Sequence, residues 1–266
     1  MIYINENKLN NINLDSNNFY VVMDFDKTMT TIDSDDSWTV IQNPNILDPK
    51  LNTESLKLAE KYCPIEMDYN LDFNLKSEYM YDWYMSVMKL YYKYDLTYDK
   101  LLECIKCGNL ILRKGLKELL QNFNKNKIPV IILSAGIGNV IKECLILNDC
   151  FYGNIHIISN FFSFDDNKLL PFNNPIIHTC NKKMSNLPNN FEKEISNKEY
   201  ILLFGDFIED INMVSKDDLY RTLSFGFLEK NVEANLESYR NSFDVVLTDN
   251  ASFDDAMNVL KNSSKK

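Results

Sequence analysis

No run of 18 or more apolar residues occurs in this 266-residue chain, so a membrane-spanning helix is not expected. The first seven residues, Met1 to Asn7, lack the charged-then-apolar layout of a secretory signal. Cysteine is sparse: six residues, at 63, 104, 107, 144, 150 and 180, are too few and too scattered for a disulfide framework. Reduced thiols in a cytoplasmic protein are the expectation. Cys104 and Cys107 form a CxxC, but no second pair accompanies it, and a helical pattern runs through it. Both read as ordinary helix residues. Positive charge is also short, with 28 Lys and Arg against 38 Asp and Glu, a formal charge of −10. An acidic surface repels polyphosphate and argues against DNA or RNA as partner. A small phosphorylated ligand is not excluded, because one pocket on an acidic protein can still be cationic. No internal repeat is visible, and a monomer is expected. Glycine is scarce as well, at seven residues.

What is present is a chain 45% hydrophobic, long enough to bury a sizeable core. Phe19 to Met23 is a short apolar, β-rich run ending at Asp24. Pro129 to Leu133 ends at Ser134, Tyr200 to Phe204 ends at Gly205-Asp206, and Asp244 to Leu247 ends at Thr248-Asp249. Strands this continuously apolar predict a sheet covered on both faces. Leu112, Leu116, Leu119, Leu120 and Phe123 keep helical spacing, and Asn139 to Leu147 reads as a second helix. Alternating strands and helices predict a parallel, doubly wound α/β core.

The stretch 32–111 differs. Met80, Trp83, Tyr84, Val87 and Tyr91 keep helical spacing. Thr97 is a candidate N-cap, and Gly108 closes the helix that follows. No strand interrupts the region, so it reads as a helical module inserted after the first strand. Asp165-Asp166-Asn167 between two short apolar runs predicts a hairpin. The Lys/Asn-rich stretches 122–127 and 182–198 read as loops.

Ligands of open α/β sheets sit at the carboxyl ends of the strands. Three strand ends here carry Asp24-Phe25-Asp26-Lys27-Thr28, Ser134-Ala135-Gly136-Ile137-Gly138 and Gly205-Asp206-Phe207-Ile208-Glu209-Asp210. Three of the seven glycines fall there, where the backbone must turn tightly or approach a ligand. Carboxylates gathered at one point repel each other unless a hard cation neutralises them, and oxygen ligands favour Mg²⁺. One carboxylate can attack phosphorus. A second, two residues on, can protonate the leaving oxygen and then activate water. A Ser hydroxyl and loop amides can hold phosphoryl oxygens, and a nearby Lys can screen the charge. A lone DxD after a strand is a common turn; the ordered set, each member in its predicted context, is much more specific.

In this set the sequence resembles the haloacid dehalogenase superfamily and, more narrowly, the cytosolic 5′-nucleotidase III (pyrimidine 5′-nucleotidase) family. The resemblance runs from about Tyr20 to Leu260. It includes Lys61 to Asp68, Tyr79-Met80 with Trp83-Tyr84, Ile132 to Val140, Ser159-Asn160-Phe161, and Ile177-His178 with Asn181-Lys182. It implies a Rossmann-like core of residues 1–31 and 112–266 with a helical cap of residues 32–111. It also implies Mg²⁺-dependent hydrolysis of nucleoside 5′-monophosphates through an aspartyl-phosphate. By the same resemblance Asp24 is the nucleophile and Asp26 the general acid/base. Asp24, the backbone carbonyl of Asp26, and Asp206 bind Mg²⁺, with Asp210 supporting the ion indirectly. Thr28, Ser134, Ala135, Gly136 and Lys182 serve the phosphate end, Thr28 by orienting its loop. Glu66 and Trp38 recognise the base. As residues alone, Glu66 also reads as a solvent-facing acid beside a helix, and Trp38 and Trp83 as core packing.

Two departures from the family pattern stand out. Phe207 replaces a small hydroxyl residue after the fourth-motif Asp. The stretch Thr31 to Trp38, rich in Asp and Ser, replaces a more basic segment. CMP and UMP are the favoured substrates, with 7-methylguanosine monophosphate as the alternative. A phosphatase for a non-nucleotide metabolite, capture of the phosphoryl group by a second nucleoside, and a silent binding protein are further readings.

Overall fold

The computed structural model describes residues 1–12, 14, 18–68, 70–172, 175–184 and 189–263. In chain order the elements are β1 (Ile2–Ile4), α1 (Glu6–Asn11), β2 (Phe19–Met23), α2 (Pro49–Glu66), α3 (Phe73–Lys93) and α4 (Tyr98–Cys107). They continue with α5 (Leu116–Lys125), β3 (Val130–Ile137), α6 (Gly138–Leu147), β4 (Ile155–Asn160), β5 (Phe164–Asp165) and β6 (Lys168–Leu169). Last come α7 (Asn189–Ile195), β7 (Tyr200–Gly205), β8 (Thr222–Leu228), α8 (Val232–Ser242), β9 (Val245–Thr248) and α9 (Phe253–Ser263).

Seven strands form one sheet in the order β1-β9-β8-β7-β2-β3-β4. Every pairing is parallel except β1 with β9. The sheet is buried on both faces. Val21, Met23, Val130, Ile132 and Phe204 meet α5, α6 and α9 on one side, while Val22, Ile131, Leu133 and Leu203 meet Phe191 and Met213 on the other. This is the α/β architecture the apolar runs predict. β1, β4 and β8 were not legible as apolar runs. β4 carries His156, Ser159 and Asn160. β8 carries Ser224 and Gly226, where a Cβ on Gly226 would lie 2.5 Å from the Phe243 ring. Leu112 stands before α5, not in it, and bridges Thr30. Of the 182–198 stretch, 185–188 lie outside the described residues, and 189–195 form α7 rather than loop.

Between β2 and β3 the described residues form helices, with a second hydrophobic cluster that they share with Ile137, Val140, Phe162 and Ile176. α3 places Met80, Val87, Met88 and Tyr91 on its buried stripe. α4 is capped by the Thr97 hydroxyl, which accepts from the Lys100 amide at 3.2 Å. The β5–β6 hairpin joins this module: Phe164, Leu169 and Phe172 pack on its cluster, and Asn167 accepts from the Tyr98 and Asp99 amides. The chain leaves and re-enters the sheet layer through paired segments, with Thr31 N–H on Ile111 and Arg113 N–H on Met29. Among the described residues, no helix is long and apolar enough to cross a membrane.

Candidate active site

The ends of β2, β3 and β7 converge, because β2 lies between the other two in the sheet. Asp24 follows β2, and its amide donates to the Phe204 carbonyl of β7. Asp206 follows Gly205, the last residue of β7. A Cβ at Gly205 would sit 2.5 Å from the Asp210 side chain, so the strand end must be glycine for Asp210 to turn back. Asp210 does so fully: its Oδ2 accepts from the Asp206 and Phe207 amides, both at 3.1 Å. Its Oδ1 meets the Lys182 ammonium at 2.6 Å, and Lys182 also reaches Asp24 Oδ1 at 2.9 Å. Both Asp210 oxygens are thus engaged by protein donors. They hold the Lys182 ammonium and the amides of Asp206 and Phe207 in place.

Carboxylate oxygens of Asp24, Asp206 and Asp210 lie within 4.8 Å of one another. Three acids face one ammonium. Burial pushes the Asp24 and Asp206 carboxyls above their ordinary range, and for Asp24 this outweighs the Lys182 contact. Burial works against the Lys182 charge too, but Asp210 and Asp24 hold it firmly protonated. Excess buried negative charge on hard oxygen donors suits a divalent cation such as Mg²⁺.

Thr28 is fully buried, and its hydroxyl donates to Asp206 Oδ1 at 3.1 Å. Its hydroxyl thus ties the loop after β2 to the acid cluster. Lys27 beside it has φ of 62°, a left-handed conformation that costs a non-glycine residue about 1 kcal/mol or more. Asp26 turns away from the carboxylate cluster. Its oxygens accept from the amide and hydroxyl of Ser37. Burial, with Asp36 and Asp24 nearby, raises its carboxyl to about 7.

The second motif sits on a bulge of β3. Leu133 pairs with Ile158 and Ile137 with Asn160, so Ser134, Ala135 and Gly136 oppose Ser159 alone. Asn160 holds this bulge, donating to the Ala135 carbonyl at 2.9 Å and the Ile177 carbonyl at 2.7 Å. Through Ile177 it ties the bulge to the loop that carries Lys182. Ser134 Oγ accepts from the Gly136 amide at 3.0 Å, which leaves the hydroxyl hydrogen to donate elsewhere.

Glu66 ends α2 and is half-buried, its carboxyl raised chiefly by burial. Trp38 is half-buried too. Its indole N–H donates to Ala135 O at 3.2 Å, and its ring lies 6.4 Å from Tyr91, near parallel, and 5.1 Å from Tyr84, edge-on. It therefore packs and borders the site at once. Trp83 stacks on Tyr62 at 5.8 Å, consistent with the packing role.

Sequence reasoning missed Ser37 and Arg113. Arg113 is one of only three arginines among 28 cationic residues, and that scarcity was the available signal. Its guanidinium donates to the carbonyls of Lys27, Thr28, Thr30 and Ala251. It thereby braces the loop after the first motif. Ser37 lay inside the Asp- and Ser-rich stretch Thr31 to Trp38, but nothing in that stretch singled it out from its neighbours.

A mostly parallel sheet with an acid cluster at its carboxyl edge and a helical insert after β2 defines a haloacid dehalogenase-type α/β hydrolase. A substrate-bound phosphoserine phosphatase shares this fold, with a TM-score of 0.58 and 15% identity over 94% of this chain and 99% of that one. The chain belongs to the pyrimidine 5′-nucleotidase (UMPH-1) family of phosphoric monoester hydrolases, whose model matches residues 5–263. It is 30% identical over 249 residues to 7-methylguanosine phosphate-specific 5′-nucleotidase B of Xenopus laevis, covering 91% of this chain and 86% of that one. The human 7-methylguanosine phosphate-specific 5′-nucleotidase is 29% identical over 242 residues, covering 88% and 81%. The structure of cytosolic 5′-nucleotidase IIIB bound to cytidine superposes with a TM-score of 0.86 and 26% identity, covering 99% of this chain and 94% of that one.

Proposed function

We propose that this protein hydrolyses pyrimidine nucleoside 5′-monophosphates, CMP and UMP, at Asp24. The observation that carries the reading is the Lys182 ammonium bridging Asp24 and Asp210, inside a cluster of three acids and beside the β3 bulge. An Asp24 oxygen attacks phosphorus; the bond from phosphorus to the 5′-oxygen breaks, and Asp26 gives that oxygen its proton. Asp26 then takes a proton from water as the water attacks the aspartyl-phosphate, which frees phosphate and restores Asp24. Asp26 near neutrality suits both duties. Ser134 donates to a phosphoryl oxygen, and Lys182 screens the approaching charge. Asp24, Asp206 and the Asp26 carbonyl would hold Mg²⁺, which supplies charge neutralisation on the phosphoryl oxygens.

The helical module of residues 32–111 acts as the cap and excludes water from the site. Glu66 accepts hydrogen bonds from an amino-bearing base edge, and Trp38 borders the base. Cytidine in the structure of a relative supports the pyrimidine reading. The curated relatives named for 7-methylguanosine phosphate support that nucleotide as a second reading. Phosphate release with Mg²⁺ from CMP, UMP, 7-methyl-GMP, AMP and a sugar phosphate tests both. A clear preference for CMP and UMP is expected. Preference for 7-methyl-GMP selects the second reading, and equal rates on all would remove base recognition by Glu66.

A further inference from the structure

Ser37 lies in the linker from β2 to the helical module, outside every motif that marks the family, yet it is fully buried. Its amide donates to Asp26 Oδ1 at 2.8 Å, and its hydroxyl donates to Asp26 Oδ2 at 2.6 Å. The same hydroxyl oxygen accepts the Ile137 amide at 3.1 Å. That third contact fixes the rotor. A serine hydroxyl has one hydrogen, and with the Ile137 N–H on the oxygen side that hydrogen is committed to Asp26. Two donors on two oxygens fix the plane of the carboxylate. Each oxygen keeps a further lone pair for proton exchange.

The surroundings hold Ser37 in place from both sides. Asp36 Oδ1 accepts the Trp38 and Thr39 amides, at 3.0 and 2.7 Å, and so shapes the turn that presents Ser37. The Trp38 carbonyl accepts the Tyr91 hydroxyl from α3, and its indole donates to Ala135 on the bulge. A Cβ at Gly136 would lie 2.1 Å from Ser37 Oγ and 2.8 Å from Asp26 Oδ2. Glycine there is what lets linker and bulge close on Asp26 together.

We infer that Ser37 is a positioning residue: it orients the Asp26 carboxyl for proton transfer to the leaving 5′-oxygen, and it does so only while the linker is docked against the β3 bulge. This rests on the acid/base role proposed for Asp26. Ser37 itself exchanges no proton with substrate. The proton on the departing nucleoside comes from Asp26, as the Asp24–phosphorus bond forms and the phosphorus–5′-oxygen bond breaks.

Leaving-group chemistry separates positioning from bulk structure. A 5′-alkoxide needs a proton to depart; a nitrophenolate does not. kcat/KM covers the steps through leaving-group release and excludes hydrolysis of the aspartyl-phosphate. For Ser37→Ala, kcat/KM on CMP should fall roughly 10- to 100-fold, while kcat/KM on p-nitrophenyl phosphate changes by less than about 3-fold. Ser37→Cys, which keeps a weaker donor at the same point, should fall between wild type and Ser37→Ala on CMP, and it serves as the readout if Ser37→Ala does not fold by thermal melt. Equal losses on both substrates, no loss on CMP, or a faster Ser37→Ala enzyme would overturn the inference. Asp26→Asn run beside them tests the underlying role. If it loses kcat/KM on CMP and on p-nitrophenyl phosphate equally, the proton-donor role of Asp26 falls, and the inference with it. If Asp26→Asn discriminates between the esters and Ser37→Ala does not, only the positioning role falls.

Discussion

Arg113 and Glu229 face each other as a doubly hydrogen-bonded ion pair, both contacts at 2.9 Å, with side chains only 2% and 5% exposed. The pair joins the segment before α5 to the residue after β8. Breaking such a pair strands one buried charge. Glu229→Gln or Arg113→Met should destabilise the fold by about 3–5 kcal/mol, read by urea unfolding. Replacing both with apolar residues is often neutral for a buried pair, but not here. The carbonyls of Lys27, Thr28, Thr30 and Ala251 would lose their donor, so the double variant should stay destabilised and lose activity.

Asp24→Asn should abolish turnover without loss of fold. Burial raises the Asp24 and Asp206 carboxyls, so their ionised forms cost stability in metal-free protein. The sign follows: the folded state binds the extra proton, so stability without metal falls as pH rises from about 4 through the raised folded values. In EDTA at neutral pH, Asp24→Asn should melt no lower than wild type. Added Mg²⁺ should raise the wild-type melting temperature and leave Asp24→Asn nearly unchanged. A Mg²⁺ shift of equal size in both would remove Asp24 from the metal site.

Lys182 is the one ammonium, among the described residues, that contacts Asp24 and Asp210 alike. Lys182→Met should lower kcat for phosphate release by roughly 100-fold or more. Wild-type kcat in a correctly folded Lys182→Met would show that its charge is dispensable to the phosphoryl step.

Glu66→Gln separates base recognition from chemistry. The amide keeps one acceptor and loses the charge, so kcat/KM for CMP should fall roughly 10- to 100-fold, with hydrolysis of a sugar phosphate little changed. Equal effects on both substrates would place Glu66 outside base recognition.

His178 is buried and neutral: its Nδ1 accepts the Cys180 amide at 3.3 Å, and burial lowers its pKa to about 4. The unfolded chain takes up that proton first, near 6.5. Stability is therefore full above about 6.5 and drains as pH falls toward about 4. On lowering the pH from 7.5 to 5.5, wild type should lose roughly 2–4 °C more in melting temperature than His178→Asn, whose side chain does not titrate. Parallel losses would show that His178 carries no linkage.

The strands beside the site were legible because they are buried on both faces and read as unbroken apolar runs, as in Phe19–Met23 and Tyr200–Gly205. β8 escaped notice because its polar and small residues are satisfied only by distant partners: Ser224 bonds Asp244, and Gly226 makes room for Phe243. β4 is the sheet's outer strand, half-exposed along part of its length, and its apolar pattern is broken accordingly. Thr28 was read as orienting the first-motif loop; the partner that its hydroxyl takes, Asp206, lies 178 residues away and was not legible.

The sequence by itself determined the α/β class, the helical insert, and the run of acids at three strand ends. Each depends on local periodicity or on residues adjacent in the chain. Tertiary structure alone decided what those acids face. Lys182 meets Asp24 and Asp210 because β2 and β7 are neighbours, and Asn160 ties the loop that carries Lys182 to the bulge. Ser37 reaches Asp26 and Ile137 because a linker folds back onto a bulge of β3, a hundred residues away in the chain from Ile137. Hydrogen bonds over such separations have no periodicity to read. They exist only once the sheet has set its strand order and the linker has closed against it.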